Sequence, residues 1–150
     1  MKKGGYCVKK IGTLLCLLLV MFSLTACKEA GKTDSVSVSI EKSDKFSEEE
    51  INHAINRVKD KFKDFKGCTL TDLWYAEEKS NDFIAGYLSH GKGSVNGAEP
   101  ENTIVLLSNF DVDASGGDGS LNPNSTYSNW NWILIRDSKT GAWRVDDWGY

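Results

Sequence analysis

Histidine and cysteine are scarce in this chain, and basic residues become so once its first 26 positions are set aside. Its 150 residues hold two histidines, four cysteines, and 18 lysines and arginines against 21 acids. His53 and His90 stand in no metal-binding spacing, and two histidines without spaced partners make a poor zinc site. No nucleophile elbow, P-loop or dinucleotide fingerprint occurs. Asp146 and Asp147 are neighbours on a predicted strand, so they should point to opposite faces and form no carboxylate pair. Asp146 then shares a face with Arg144, as a surface ion pair of little weight. These absences speak against an enzyme and call for no cofactor. Long apolar runs are missing too. The longest, Ile11 to Leu24, covers 14 residues, short of the roughly 20 that span a bilayer as a helix.

That run is nevertheless placed for export. Lys2, Lys3, Lys9 and Lys10 precede it, and the small Thr25 and Ala26 follow it, directly before Cys27. A basic flank, a short apolar stretch and small residues at the cut mark a signal peptide rather than a permanent membrane helix. Leu24-Thr25-Ala26-Cys27 resembles the bacterial lipobox, which implies cleavage before Cys27 and a diacylglyceryl group on its thiol. The chain then divides into a lipoprotein signal peptide (1–26), a lipidated cysteine with a flexible tether (27–45) and one domain (46–150). As a coil, Lys28 to Lys45 would span roughly 20–25 Å. The expected address is the extracytoplasmic face of the cell membrane, held by the lipid anchor.

Removal of the signal leaves Cys68 as the only unmodified thiol, so the domain has no internal disulfide. With Gly67 and Thr69 beside it, and no motif of a cysteine enzyme, Cys68 reads as a small buried hydrophobe. The loss of four lysines leaves 14 basic residues against 21 acids, a net charge of −7. Such a domain suits neither nucleic acid nor the face of an anionic membrane, since both need a positive surface, and the lipid alone is expected to hold it to the membrane.

Ser47-Glu48-Glu49-Glu50 has the spacing of a capping box, and Phe46 with Ile51 can close a hydrophobic staple. Ile51, Ala54, Ile55, Val58, Phe62 and Phe65 then fall on one helical face. With acids in the first turn, lysines in the last and Gly67 as the stop, the pattern predicts a helix over 48–66. Val36-Ser37-Val38-Ser39-Ile40 alternates with period two and is balanced between strand and coil. After Gly67, strands are predicted over 69–76, 82–90, 102–112, 127–137 and 142–148, from their β-branched and aromatic content. Asp137 to Gly141 is a tight hairpin turn, which pairs the last two antiparallel. No second helix with a good cap is evident. The expected fold is therefore α+β, one long helix packed on a curved antiparallel sheet of four to five strands.

That order resembles the cystatin-like and nuclear transport factor 2-like superfold. Phe62 to Leu70, Leu73-Trp74-Tyr75, Ile104 to Ser128 and Trp143 to Tyr150 further resemble an uncharacterised group of small exported lipoproteins from Gram-positive, clostridia-like bacteria. Related domains in that group are also appended to membrane-bound sensor peptidases. The resemblance implies the fold and the address, and transfers no catalytic residue. A superfold of this kind hosts enzymes and binding modules alike.

Two clusters remain as candidate sites. Asp111, Asp113 and Ser115, with Asp118 nearby, have the opening spacing of a calcium loop and Gly116 at the sharp-turn position. The twelfth position is Asn122 rather than a bidentate Glu and no helix flanks it, so calcium is a weak candidate beside an ordinary Asp/Ser-rich turn. Trp130 and Trp132 share a strand face, and with Tyr127 and Tyr150 they could stack on a sugar or grip a peptide. The same rings could instead pack a core. The leading expectation is a non-catalytic binding or accessory lipoprotein that contacts a peptide, glycan or envelope protein through the sheet's open face and longer loops. The alternative is a small-molecule-binding protein or enzyme using the pocket between helix and sheet.

Overall fold

Ser47 and Glu50 form the capping box that their spacing predicts. The Glu50 amide donates to Ser47 Oγ at 3.2 Å, and the Ser47 amide donates to Glu50 Oε2 at 2.8 Å. In the computed structural model, which describes residues 29–150, helix α1 follows as Glu48–Phe62. Its stripe of Ile51, Ala54, Ile55, Val58 and Phe62 is buried, and the staple residue Phe46 with it. The helix stops at Phe62 instead of 66. The Asp64 and Phe65 amides turn back to the carbonyls of Lys61 and Phe62, tightening the chain to three-residue closures.

Five strands form one mixed sheet in chain order: β1 Ser37–Ile40, β2 Cys68–Tyr75, β3 Thr103–Val112, β4 Thr126–Ile135 and β5 Arg144–Gly149. β2 to β5 pair antiparallel, while β1 lies parallel to β2. The sheet is thus mixed and open, not wholly antiparallel. The α1 face carries Leu73, Leu106, Phe110, Trp132 and Leu134, all buried against the helix. Phe62 meets Phe110 and Trp132 edge-on, at 5.5 and 6.3 Å between ring centroids.

Residues 82–90, predicted as a strand, belong instead to helix α2, Glu77–His90, and a short α3 follows at Gly93–Asn96. The helical period is there, in buried Ser80, Ile84 and Tyr87, but Gly86 weakens it and Ala76 supplies no side-chain cap. Packing decides the matter. Ile84 and Tyr87 close over Val105, Ile133 and Ile135 on the sheet's second face, and Val105 N–H donates to Ser80 Oγ at 3.0 Å. The sheet therefore carries a helix on each face.

A bulge in β5 also overturns the expected geometry of its acids. Asp147 pairs with Ile133 and Val145 with Leu134, which leaves Asp146 between them. Tyr87 donates its hydroxyl to Asp146 Oδ2 at 2.6 Å, and Lys92 reaches Asp147 Oδ1 at 3.2 Å. Both carboxylates engage partners from the α2–α3 layer. Burial first, then the Asp146 carboxylate, push the Tyr87 phenol up to about 12. Arg144 bonds Asp137 at 2.6 Å rather than Asp146.

The segment expected as a flexible tether is laid against the domain from Glu29 onward. Gly31 N–H donates to the Lys63 carbonyl at 3.0 Å, Gly67 N–H to Glu29 at 3.1 Å, and Lys32 exchanges bonds with Cys68 and Leu70. Gly31 is the residue that lets this strip approach. A Cβ there would lie 2.1 Å from the Phe62 carbonyl oxygen. The strip supplies partners to backbone groups that the end of α1 and the start of β2 leave open. The signal peptide and Cys27 lie outside the described residues. Among the described residues no helix is long and apolar enough to cross a membrane.

Candidate functional site: an aromatic cleft at the end of α1

The space between α1 and the sheet is filled by the core along most of its length, and an aromatic cleft opens past Phe62. There the chain turns and places Phe65 beside three aromatic residues of β4 and β5. Its ring lies 6.3 Å from Trp130, 5.2 Å from Trp132 and 6.4 Å from Trp148. Tyr150 stands 5.2 Å from Trp130 and 6.1 Å from Tyr127. The result is a cleft of about 320 Å³ whose lining includes Lys61, Phe65, Lys66, Leu121, Trp130 and Trp148.

A bulge builds it. β3 and β4 pair Ser108 with Trp130 but Phe110 with Tyr127, so two residues of β4 stand opposite Asn109. Asn129 takes a left-handed backbone, φ 57°, and its N–H donates to Asn109 Oδ1 at 3.1 Å. Regular alternation would turn Tyr127 away from Trp130. The extra residue brings both onto the α1 face, where Tyr127 stacks on Phe110 at 5.1 Å.

The candidate aromatics therefore divide. Trp130 is half-buried and lines the cleft, while half-buried Tyr127 and Tyr150, 77% exposed, pack against its ring from outside the lining. Trp132, expected to accompany Trp130 at a ligand-facing surface, is instead 0% exposed and belongs to the core, where its Nε1 donates to Ser108 Oγ at 2.8 Å. Trp148, Phe65 and Lys61 join the cleft without having been expected there. Trp148 is 40% exposed, and the Lys61 ammonium lies 4.7 Å above its ring while also bonding Asp64 at 3.0 Å. The available signal was the pairing of Trp132 with Trp148 across two strands, which the predicted hairpin contains.

One polar atom here is out of balance. Trp130 Nε1 is buried and has no hydrogen-bond partner, alone among the buried side-chain nitrogens and oxygens of the described residues. An unpaired buried donor costs about 1–3 kcal/mol.

The loop with calcium-like spacing is organised differently. Asp111 Oδ1 accepts from Thr126 Oγ1 at 2.6 Å, Asp113 Oδ1 from the Ser115 amide at 2.7 Å, and Asp118 Oδ1 from the Ser120 amide at 3.0 Å. The first joins cross-strand partners of β3 and β4, and the other two are the local bonds of Asp-rich turns. Among the described residues no three His, Cys, Asp or Glu side chains gather as a metal site. Cys68 is 1% exposed, and burial, followed by the charges of Asp113 and Asp118, pushes its thiol up to about 11. It is no nucleophile at neutral pH. A wider groove of about 430 Å³ runs along the other half of α1 beside the β4–β5 turn, and includes His53, Arg57 and Lys139. It has no aromatic cluster and no unsatisfied buried group.

Stacking rings and an ammonium can hold a ligand, and no nucleophile paired with a base is seen among the cleft's lining residues. The protein is thus an α+β domain, a mixed sheet between helices, with an aromatic cleft at one end and no evidence of catalysis. The chain belongs to the DUF4829 family, a domain of unknown function, which matches residues 44–149. No curated protein and no solved structure matches it significantly.

Proposed function

We propose that this chain is a membrane-anchored lipoprotein of a Gram-positive cell envelope, acylated on Cys27, whose domain is a non-catalytic binding module on the extracytoplasmic face. In this reading α1 over β2 to β5 is a cystatin-like roll. The observation that supports a binding role is the cleft itself. Partly exposed rings of Trp130 and Trp148 line it beside the Lys61 ammonium, and a ligand with an apolar face and carbonyl, hydroxyl or phosphate oxygens suits both. Peptide, glycan and envelope protein all offer such groups. A pocket-using enzyme or carrier has less support, because Phe62, Phe110, Trp132 and Leu134 occupy the space between helix and sheet.

The address is tested by processing. Cys27→Ala, or inhibition of lipoprotein signal peptidase, should leave a precursor that retains residues 1–26; normal maturation in both cases removes the anchor from the proposal. The cleft is tested by a photo-crosslinking residue at Tyr150 in intact cells, compared with one at exposed Asn52 on α1. Adducts at the first position and not the second are expected. Equal labelling, or none, removes the cleft.

A further inference from the structure

The described chain begins to make fixed contacts only two residues after the expected acylation site. Two residues extend at most about 7 Å. The polar layer of a bilayer is about 5–8 Å thick on each side. A lipid on Cys27 therefore leaves no spacer, because Glu29 is already bonded to Gly67 and Gly31 to Lys63. The end of the domain that carries these bonds must rest on the headgroups.

That end is the one with the cleft. The close of α1, the start of β2, the close of β3, the start of β4 and the close of β5 all lie there, as the strand registers require. Gly67, whose N–H donates to the anchor strip, directly follows Lys66 of the cleft lining, and a Cβ on Gly117 of the same lining would lie 3.3 Å from the Lys66 carbonyl oxygen. Of the four exposed large apolar side chains among the described residues, Trp148 and Tyr150 are found here. Trp and Tyr favour the headgroup layer, where an apolar ring and a polar edge are both accommodated, and lysine stems reach the same depth.

We propose that the partner of the aromatic cleft is the bilayer to which Cys27 is attached, with Trp148, Tyr150 and Trp130 seated in its headgroup layer. This rests on acylation at Cys27 and on the cleft as the binding surface. The attraction is interfacial rather than ionic, since Lys61, Lys63 and Lys66 at this end stand among Asp60, Asp64 and Asp118. Held so, the domain lies close to the membrane with its β4–β5 turn directed outward.

The test uses the processed chain, recovered from its host and reconstituted in phosphatidylcholine vesicles with bromine placed high on the acyl chains. Tryptophan emission should be quenched, and Trp148→Phe should abolish most of that quenching. Phosphatidylglycerol or added salt should change it little. A spin label at Tyr150→Cys should meet membrane-dissolved oxygen more often than one at Lys139→Cys in the β4–β5 turn. An acylated chain that is not quenched, or whose two labels rank the other way, overturns the membrane as partner and leaves the lipoprotein standing. A mature chain without acyl mass on Cys27 overturns both.

Discussion

Trp143 and Trp148 lie five residues apart, one just before β5 and one within it, and the two ends of the α1 layer treat them in opposite ways. At the Trp143 end, Arg136 is 4% exposed in its side chain and bonds Glu50 Oε1 at 2.7 Å, with Asn102 Oδ1 at 3.2 Å. Its guanidinium stacks 4.3 Å from the Trp143 ring, and Trp143 Nε1 donates to the Glu50 carbonyl at 3.0 Å. At the Trp148 end the rings reach solvent, a buried N–H is left over, and the cation above Trp148 is a half-exposed lysine. One end satisfies its polar groups within the molecule. The other keeps one buried donor unpaired and its rings partly exposed, so the two ends of one helix differ in how far the fold satisfies its own groups.

This contrast can be broken from its stronger side first. Trp143→Ala should cost about 3–5 kcal/mol, the usual range for a buried tryptophan, read from the denaturant midpoint. Glu50→Gln keeps the capping box but strands the Arg136 charge, and should cost about 3 kcal/mol. Its pH dependence provides a second check. Burial raises the Glu50 carboxyl, yet the Ser47 amide and Arg136 outweigh it and hold the pKa below its ordinary 4.5. With the folded value depressed, Glu50 contributes stability above the ordinary pKa and loses it as pH falls through the folded one. The variant should therefore show a shallower loss of stability below pH 4.5.

Gly31→Ala tests the strip that meets the open end. Its Cβ must displace the chain from Phe62, at about 1–3 kcal/mol, with faster hydrogen exchange at Lys32 and Leu70 than at Ile51. A variant as stable as wild type, with unchanged exchange, means that the strip is not fixed there. Trp148→Ala should have the smallest effect on stability, about 1 kcal/mol for the lost ring and cation contacts. A loss as large as that of Trp143→Ala assigns Trp148 to the core and removes the difference between the ends.

Much of the α1 layer was legible in the sequence because its signals are local. A cap, a staple and a helical stripe all lie within Phe46 to Phe62, and the β4–β5 turn announces itself between Asp137 and Gly141. The missed elements depend on distant partners. Helix α2 has no cap and a glycine in its middle, so its state follows from the Val105, Ile133 and Ile135 surface that it covers. The parallel pairing of β1, and the docking of Glu29 to Lys32, depend on edges that exist only once β2 is in place. For the same reason a coil was expected where a strip is bound.

The cleft was half legible. Trp130, Tyr127 and Tyr150 are visible as aromatics, but their gathering with Phe65 and Trp148 needs the bulge at Asn129 and the chain's turn after Phe62. The sequence alone determined which helix is capped, which residues are apolar and that one thiol stays unmodified if Cys27 is acylated, since each follows from residue type and spacing. Only the tertiary structure decided that Trp132 is core while Trp148 is surface, and that Asp146 and Asp147 both engage the α2–α3 layer. For the two tryptophans, cross-strand partners on one face, the reason is place in the sheet, Trp132 on interior β4 and Trp148 on edge β5. For the acids it is register, since one extra residue in a strand reverses which face a side chain takes and residue type does not reveal where it is inserted.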